Sequence, residues 1–152
     1  MQFNLQKEVL NIDTLVLDLN GTLTTNGKLL KGTKEKINKL KKLDYNIILF
    51  TGNQRKNGNE ICSLLGIKCI IAETSKDKEK EMKKLNIKTC ASIGNARIDI
   101  PTFKYSRLAI ATLQSEGIHK DIIKYVDIIV PSINDALDLF INKDSLIATL
   151  KE

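Results

Sequence analysis

The sequence predicts an α/β fold, a single doubly wound, Rossmann-like parallel sheet with helices on both faces. Six short apolar runs have the length and composition of buried strands, and turn residues bound each of them. Segments with helical periodicity separate these runs, and a regular alternation of strands and helices is typical of parallel sheets. Because no repeat, low-complexity tract or linker interrupts the alternation, we expect residues 1–152 to form one domain.

The order of the elements can be predicted from the same pattern. A weakly alternating start, at residues 3–10, is expected to form a short strand or hairpin arm. The core strands are predicted at residues 15–18, 46–51, 67–72, 90–93, 108–111 and 127–130. Helices are expected to begin at Thr33, to end at Gly66, to span residues 75–85, to end near Lys104 and to follow Pro131. The apolar positions predicted to face the core in the first two helices are Ile37, Leu40, Leu43, Ile61, Leu64 and Leu65.

Composition excludes several classes of protein. Of the 152 residues, 42% are hydrophobic and 28% are charged, which is ordinary for a globular domain. No apolar run approaches the roughly 18 residues needed to span a membrane, and residues 1–8 lack the regions of a signal peptide. We therefore expect a cytoplasmic protein without a membrane partner. Three widely spaced cysteines favour buried thiols over a disulfide, and a single histidine, His119, argues against a histidine-centred triad.

The net charge of +6 raises the question of nucleic acid binding. Only three of the 24 basic residues are arginines, although base readout and phosphate forks favour arginine. The lysines alternate with acidic residues along helical segments, as in residues 76–81, and aromatic residues are few. The pattern favours solvated helix faces and argues against a nucleic acid partner.

Two strand ends carry residues suited to an anion site. Asp18 closes the first core strand, and open α/β sheets bind ligands in the crevice beyond the carboxyl ends of their strands. Gly21 lets the chain turn sharply there, although a turn aspartate closing an ordinary strand would look the same. The second strand ends at Thr51 and Gly52, where a hydroxyl and a glycine amide at a helix start suit an anion. A plain strand-to-helix turn is the alternative.

These two strand ends resemble motifs of a known superfamily. The run Asp18-Leu19-Asn20-Gly21-Thr22-Leu23-Thr24 resembles the first motif of the haloacid dehalogenase (HAD) superfamily, and more closely the Asp-Lys-Thr-Gly-Thr-Leu-Thr phosphorylation motif of P-type ATPases. The run Leu49-Phe50-Thr51-Gly52-Asn53 resembles the second HAD motif, which is Thr-Gly-Asp in the P-type group.

Two later runs extend the resemblance over residues 15–111. Ser75-Lys76-Asp77-Lys78, followed by Met82-Lys83-Lys84-Leu85, is similar to the Pro-x-x-Lys segment of P-type ATPases, and the spacing selects Lys78 over Lys76. Ile93-Gly94-Asn95-Ala96-Arg97-Ile98-Asp99 aligns with the fourth motif, Gly-Asp-Gly-x-Asn-Asp. The spacing between motifs leaves no room for an inserted cap or nucleotide domain. The chain is thus identified as a member of the capless, soluble P-type-ATPase-like group of HAD proteins, and not as an ion pump.

The resemblance implies a Mg²⁺-dependent phosphohydrolase or phosphotransferase acting through an aspartyl phosphate. Its implied catalytic residues are Asp18, Asn20, Thr51 and Lys78. Its implied phosphate-binding residues are Asn20, Gly21, Thr51, Gly52 and Lys78. Its implied ligands for Mg²⁺ are Asp18, the backbone carbonyl of Asn20, and Asp99 or the amide oxygen of Asn95. The implied substrate is a phosphate ester or acyl phosphate, carried on a small molecule or a macromolecule.

Position 20 is the main departure from the HAD phosphatase pattern. Those enzymes carry an aspartate there as general acid and base, and Asn20 cannot transfer a proton in that way. We therefore expect slow turnover. The alternative is a regulatory or binding module with little turnover, because Asn20, Asn53 and Asn95 stand where carboxylates occur in related motifs. A receiver-type signalling domain fits less well, since its phosphoacceptor would follow a mid-chain strand.

The turn signal Asn26-Gly27 predicts a small flap over the crevice. Capless HAD proteins often shield an open crevice with a neighbouring subunit. We expect Leu29 and Leu30 to be exposed on this flap, which motivates the hypothesis of a homo-oligomer.

Overall fold

The fold is described from a computed structural model, which describes residues 1–114 and 116–151. A hairpin of β1 (Gln2–Asn4) and β2 (Val9–Asn11) leads into the first core strand, β3 (Thr14–Asp18). A second hairpin, of β4 (Thr24–Thr25) and β5 (Lys28–Leu29), forms the predicted flap around Asn26 and Gly27, both of which have positive φ angles. The elements that follow are α1 (Thr33–Lys42), β6 (Asn46–Thr51), α2 (Gly58–Leu65), β7 (Lys68–Ile71) and α3 (Ser75–Met82).

The second half of the chain continues the alternation. Its elements are β8 (Cys90–Gly94), α4 (Ile100–Lys104), β9 (Leu108–Thr112), β10 (Ile128–Val130), α5 (Ile133–Ile141) and α6 (Lys143–Leu150). Short 3₁₀ turns cover Ile87–Thr89, Arg97–Asp99 and Lys120–Tyr125.

Six strands form one parallel sheet in the order β10-β9-β8-β3-β6-β7. The chain runs from β3 outward to β6 and β7, then returns to the other side of β3 to form β8, β9 and β10. The topological switch point therefore lies between β3 and β8, which is where doubly wound folds open a ligand crevice. The predicted fold class is confirmed.

Alternate residues of the central strands pack on opposite faces of the sheet. Leu15 and Leu17 of β3 join a cluster completed by α1, α2, α5 and α6, whereas Val16 packs with Met82 of α3 on the other face. Phe103 of α4 covers the same face farther along the sheet. This two-sided burial explains why the core strands are apolar throughout and do not alternate with polar residues.

Three predicted details are wrong. Leu43 is 41% exposed, because α1 ends at Lys42 and Leu43 becomes its C-cap. Leu64 is 51% exposed, since α2 turns Ile61, Cys62 and Leu65 toward the core. The third helix ends at Met82 rather than at residue 85, and bonds from the amides of Lys84 and Leu85 to carbonyls three residues earlier tighten its end.

The flap leucines also differ from expectation. Leu29 and Leu30 are only partly exposed and pack against the main core cluster, because the hairpin folds back onto the body. The apolar surface that motivated a homo-oligomer is therefore used within the subunit. Among the described residues, no helix is both long and apolar enough to cross a membrane.

Candidate active site

Asp18, Lys78 and Asp99 form a buried charged group at the carboxyl end of β3. The Nζ atom of Lys78 donates to Oδ1 of Asp18 at 2.8 Å and to Oδ1 of Asp99 at 2.5 Å. The Lys78 and Asp99 side chains are each 1% exposed and that of Asp18 is 11% exposed. One ammonium thus faces two carboxylates, so the group carries a net negative charge when all three residues are ionised.

The pKa values of Asp18 and Lys78 are both raised, but for different physical reasons. Burial, with the nearby charge of Asp99, raises the pKa of Asp18 from its ordinary 3.8 to about 7, although Lys78 opposes the shift. Burial alone would lower the pKa of Lys78, but the charges of Asp18 and Asp99 outweigh it and raise that pKa. Lys78 is therefore held as an ammonium, while the Asp18 carboxyl can change its protonation state near neutral pH.

A capping box places Lys78 in the first turn of α3. The Thr74 hydroxyl accepts from the Asp77 amide at 3.1 Å, and the Asp77 carboxylate accepts from the Thr74 amide at 2.9 Å. Lys78 follows directly and points along the sheet face toward β3. Lys76, the alternative considered from the sequence, is exposed on the same helix.

Asp99 is fixed by the loop that follows β8. Its Oδ2 atom accepts from the backbone amides of Asn95 at 3.1 Å and of Ala96 at 2.9 Å. Gly94 allows this approach, because a Cβ atom there would lie 2.6 Å from the same oxygen. Both carboxylate oxygens of Asp99 are thus engaged within the protein.

The turn after Asp18 packs directly against Asn95. Gly21 has a φ angle of 75°, and a Cβ atom at that position would lie 2.4 Å from Nδ2 of Asn95. The Asn95 amide oxygen accepts from the Thr22 hydroxyl at 3.3 Å, and its Nδ2 donates to the Gly117 carbonyl at 2.9 Å. Asn95 therefore joins the turn to the loop after β9, and an ionised carboxylate could not replace it, because it accepts hydrogen bonds but donates none.

Asn20 lines the crevice beside Asp18. Its amide oxygen is buried without a hydrogen-bond partner among the described residues. An unsatisfied buried acceptor is uncommon in native structures, and a catalytic role or an ion is among its explanations. The Asn20 side chain thus makes no hydrogen bond through its oxygen to the described residues.

Thr51 and Gly52 end β6 next to β3. Thr51 is buried, and its hydroxyl oxygen accepts from the Asn53 amide at 2.9 Å, which leaves the hydroxyl hydrogen free to donate. Gly52 lines the crevice at the start of the loop leading to α2. The two adjacent strand ends thus bring a carboxylate, a hydroxyl and a glycine backbone to one edge of the sheet.

The crevice has a volume of about 250 Å³. The sequence-predicted residues that line it are Asp18, Asn20, Gly52, Lys78 and Asn95. Gly21, Thr51 and Asp99 are buried and are not among the lining residues. Sequence reasoning missed Gln54, Glu73, Ala96, Ile98 and Glu116, which also line it. Each of these follows the carboxyl end of a predicted strand, and that position was the available signal.

The oxygen donors at the site suit a hard divalent cation only in part. No group of three or more His, Cys, Asp or Glu side chains with metal-binding geometry occurs within residues 1–114 and 116–151. Mg²⁺ usually takes one or two carboxylates and keeps several waters, so Asp18 with the oxygens of Asn20 forms a sufficient start for such a site. The side-chain oxygen of Asn20 accepts no hydrogen bond from the described residues, so it is not committed elsewhere in the protein.

The fold and the site together define a capless, doubly wound α/β protein built around a strand-end aspartate and a buried lysine. The segment between Asp18 and Thr51 contains the flap hairpin, α1 and β6, and the segment between Thr51 and Lys78 contains α2 and β7. Neither segment contains an inserted domain among the described residues.

Comparisons with known proteins agree with this class. Residues 15–75 match the family model of haloacid dehalogenase-like hydrolases. The chain is 26% identical over 134 residues to a soluble P-type ATPase-like phosphatase of Methanocaldococcus jannaschii, covering 84% of this chain and 49% of that protein. It is 39% identical over 74 residues to an uncharacterised protein of the same archaeon, covering 48% of this chain and 80% of the relative. The chain thus spans about half the length of the first of these curated relatives.

Solved structures share the fold at low sequence identity. The cobalt-bound deoxy-D-mannose-octulosonate 8-phosphate phosphatase of Haemophilus influenzae has a TM-score of 0.74 and 16% identity, over 92% of this chain and 93% of that chain. The corresponding enzyme of Moraxella catarrhalis, solved with magnesium, phosphate and a sugar acid, has a TM-score of 0.69 and 18% identity, over 91% and 92% of the two chains. The chain belongs to the haloacid dehalogenase-like hydrolase family.

Proposed function

We propose that this protein is a phosphatase or phosphotransferase that acts through a phosphoryl group carried on Asp18. The observation that carries the proposal is the buried group of Asp18, Lys78 and Asp99 at the switch point of the sheet. Family membership and the name of the first relative, a phosphatase, support the same reaction class. The substrate is a phosphate ester or acyl phosphate.

In the first step, an oxygen of Asp18 attacks phosphorus and the bond to the leaving group breaks, which gives an aspartyl phosphate and an alcohol or acid. In the second step, water attacks phosphorus, the Asp18 carboxylate leaves and inorganic phosphate is released. Lys78 donates to Asp18 and balances the charge of the transferring group. The Thr51 hydroxyl and the Gly52 amide bind the phosphoryl oxygens. The implied role of Gly21 in phosphate binding is not part of this proposal, because the Gly21 amide already donates to the Thr24 carbonyl at 2.9 Å.

A divalent cation, Mg²⁺ in this proposal, would be held by Asp18 and the Asn20 backbone carbonyl, with Asn95 or Asp99 completing the protein ligands. When bound, such a cation neutralises the charge of the phosphoryl oxygens. The solved relatives with cobalt and with magnesium support a divalent cation in this fold. The side-chain oxygens of both candidates already accept hydrogen bonds. The Asn95 oxygen accepts one long bond, from the Thr22 hydroxyl at 3.3 Å, whereas the two Asp99 oxygens accept three, from Lys78 and two backbone amides, so Asn95 is the easier of the two to redirect toward a cation.

We further propose that turnover is slow and that the aspartyl phosphate persists. An amide at position 20 cannot protonate the leaving group or accept a proton from water. Water must then serve in both roles. The reaction class does not depend on the residue at position 20, since Asp18 remains the nucleophile.

A regulatory or binding module is the second candidate, and one observation favours it. Asn95, in place of a carboxylate, uses both ends of its amide within the protein, to Thr22 and to Gly117. The amide carries no negative charge, and its oxygen is already hydrogen-bonded, so the site attracts a cation less strongly than a carboxylate there would. A module of this kind would retain phosphate binding without appreciable turnover.

The test is incubation with acetyl phosphate and Mg²⁺, followed by intact mass and trapping of any acyl phosphate. We expect one added phosphoryl group in the wild-type protein and none in Asp18→Asn, which keeps the size of the side chain but removes the nucleophile. Asp144→Asn, an exposed change on α6, is the matched control and should label as the wild type does. Labelling of the Asp18→Asn variant would exclude the mechanism, and absence of label and of phosphate release in all three proteins would favour the binding module.

A further inference from the structure

Gln114 connects the turn after Asp18 to the start of α5. Its Nε2 atom donates to the Thr22 carbonyl at 2.7 Å and to the Thr25 hydroxyl at 3.4 Å. Its Oε1 atom accepts from the Ile133 amide at 2.8 Å. Ile133 is the first residue of α5, so Gln114 also satisfies one of the amides that a helix leaves free at its N-terminus.

The orientation of this amide is determined by its partners. A backbone carbonyl can only accept a hydrogen bond and a backbone amide can only donate one. The Thr22 carbonyl therefore requires the nitrogen of Gln114, and the Ile133 amide requires its oxygen. A glutamate at this position would keep the bond to Ile133 but place a carboxylate oxygen 2.7 Å from the Thr22 carbonyl.

The backbone of Gln114 is strained. Its φ angle is 31°, in the left-handed region that favours glycine. Such conformations cost about 1–3 kcal/mol and persist where the surroundings determine them. A glycine would relieve the strain, so backbone geometry alone gives no reason for glutamine at this position. The hydrogen bonds of the side chain to Thr22 and Ile133 supply that reason.

The loop that carries Gln114 makes other contacts with the same turn. The Thr112 hydroxyl donates to the Gly21 carbonyl at 3.4 Å, and Oε1 of Glu116 accepts from the Asn26 amide at 2.8 Å. Thus the turn, and the flap after it, are held by hydrogen bonds from the end of β9. Gln114 makes the shortest of these bonds, and it makes it to the middle of the turn.

We infer that Gln114 is a positioning residue for the reaction, which holds the turn of residues 18–25 in the geometry that Asp18 and Asn20 need. The effect on the reaction rests on the proposed function. The hydrogen bonds of Gln114 to the turn do not depend on that function. Gln114 does not line the crevice, and it acts through the Thr22 carbonyl. None of the four motif runs includes Gln114. Its hydrogen-bond partners Thr22 and Ile133 lie 92 and 19 residues away in sequence, so no local sequence pattern marks it.

The experiment compares Gln114→Glu and Gln114→Gly with the wild-type protein, and uses Gln2→Glu, the same change on an exposed strand, as the control. The kcat and KM for hydrolysis of a small aryl phosphate are measured with Mg²⁺, at a temperature where thermal unfolding shows every variant folded. Amide hydrogen exchange is measured over residues 19–25 and over β6 without substrate.

We expect kcat to fall by roughly ten- to a hundredfold in both Gln114 variants with little change in KM, because misplacement of a reacting group by about 1 Å can cost that much. Exchange should accelerate over residues 19–25 and stay unchanged over β6. Gln114→Gly separates positioning from strain, since it removes the side chain while relieving the backbone. Gln2→Glu should match the wild type.

Two results would overturn the inference: exchange over residues 19–25 that is unchanged in Gln114→Glu, or faster exchange together with a wild-type kcat. If the wild-type protein itself released no phosphate, the proposed function would fail instead. Hydrogen exchange would then decide alone whether Gln114 holds the turn, with faster exchange supporting that role and unchanged exchange refuting it.

Discussion

Asn20 is the residue that decides the predicted rate. Its amide oxygen has no hydrogen-bond partner within residues 1–114 and 116–151, so Asn20→Asp breaks no hydrogen bond to these residues at that atom and nearly preserves the size of the side chain. The new carboxyl group would lie beside the leaving-group oxygen and later beside the attacking water. Positioned acid–base groups typically contribute about 10²–10⁴-fold. The added negative charge repels an anionic substrate, and Lys78 offsets part of that repulsion.

We therefore predict that Asn20→Asp accelerates hydrolysis of the phosphoenzyme by at least roughly tenfold, a discounted share of the acid–base contribution. The measurement is single-turnover decay of labelled Asp18 in both proteins at saturating Mg²⁺. Equal decay rates would mean that another group activates the water.

Asp18 itself predicts a dependence of stability on pH. Its pKa is about 7 in the folded protein, against 3.8 ordinarily, because burial and Asp99 outweigh Lys78. The folded state then binds more protons than the unfolded state between these values, so the stability that the protonated carboxyl contributes is lost as the pH rises toward 7 and through it. Asp18→Asn removes this loss. We predict that the variant is more stable than the wild type at pH 8, and that the difference shrinks toward pH 4.

Urea unfolding of both proteins without metal, across this pH range, measures the effect. A difference that stays constant with pH, or that grows on acidification, would contradict it.

At the scale of elements, α3 is joined to the sheet by Lys78. Removing one partner of a buried charged group leaves the others uncompensated and typically costs about 3–5 kcal/mol. Lys78→Met should therefore destabilise the protein by about that amount at neutral pH and abolish labelling of Asp18, because Asp18 and Asp99 lose their common ammonium. Lys76→Met, an exposed change on the same helix, is the matched control. Similar unfolding midpoints for the two variants would refute the role given to Lys78.

The elements and the order of the motifs could be predicted from the sequence, because buried strands and their terminal turn residues are local signals. Lys78 was selected over Lys76 by motif spacing, and the structure places Lys78 beside Asp18. The exposure of Leu43 and Leu64 was not predictable in this way, since both lie at helix ends, where one residue changes the face. Gln114 and Glu116 were missed because their contacts depend on β9 lying two strands from β3, and strand order is not a local signal.

At the scale of the whole molecule, the crevice differs in charge from the rest of the protein. The chain carries a net charge of +6, yet Glu73 and Glu116 line the crevice in addition to Asp18, and the charge of Lys78 is opposed by two carboxylates. Glu73 follows β7 and Glu116 follows β9, on opposite sides of β3. Arg55 lies 3.9 Å from Glu116 and is 46% exposed, so it offsets that charge only weakly.

We therefore predict a preference for phosphate esters whose leaving group carries an amine over those whose leaving group carries a carboxylate. Glucosamine 6-phosphate and 6-phosphogluconate are a suitable pair, because their phosphates are alike and their charges differ at the far end. Each glutamate should contribute roughly two- to fivefold to the ratio of kcat/KM at low ionic strength, and less at high salt. The ratio should fall in Glu73→Gln and Glu116→Gln, and stay unchanged in Glu60→Gln, an exposed change on α2. A ratio near one in the wild type, or one that survives the double substitution, would show that these carboxylates do not select the leaving group.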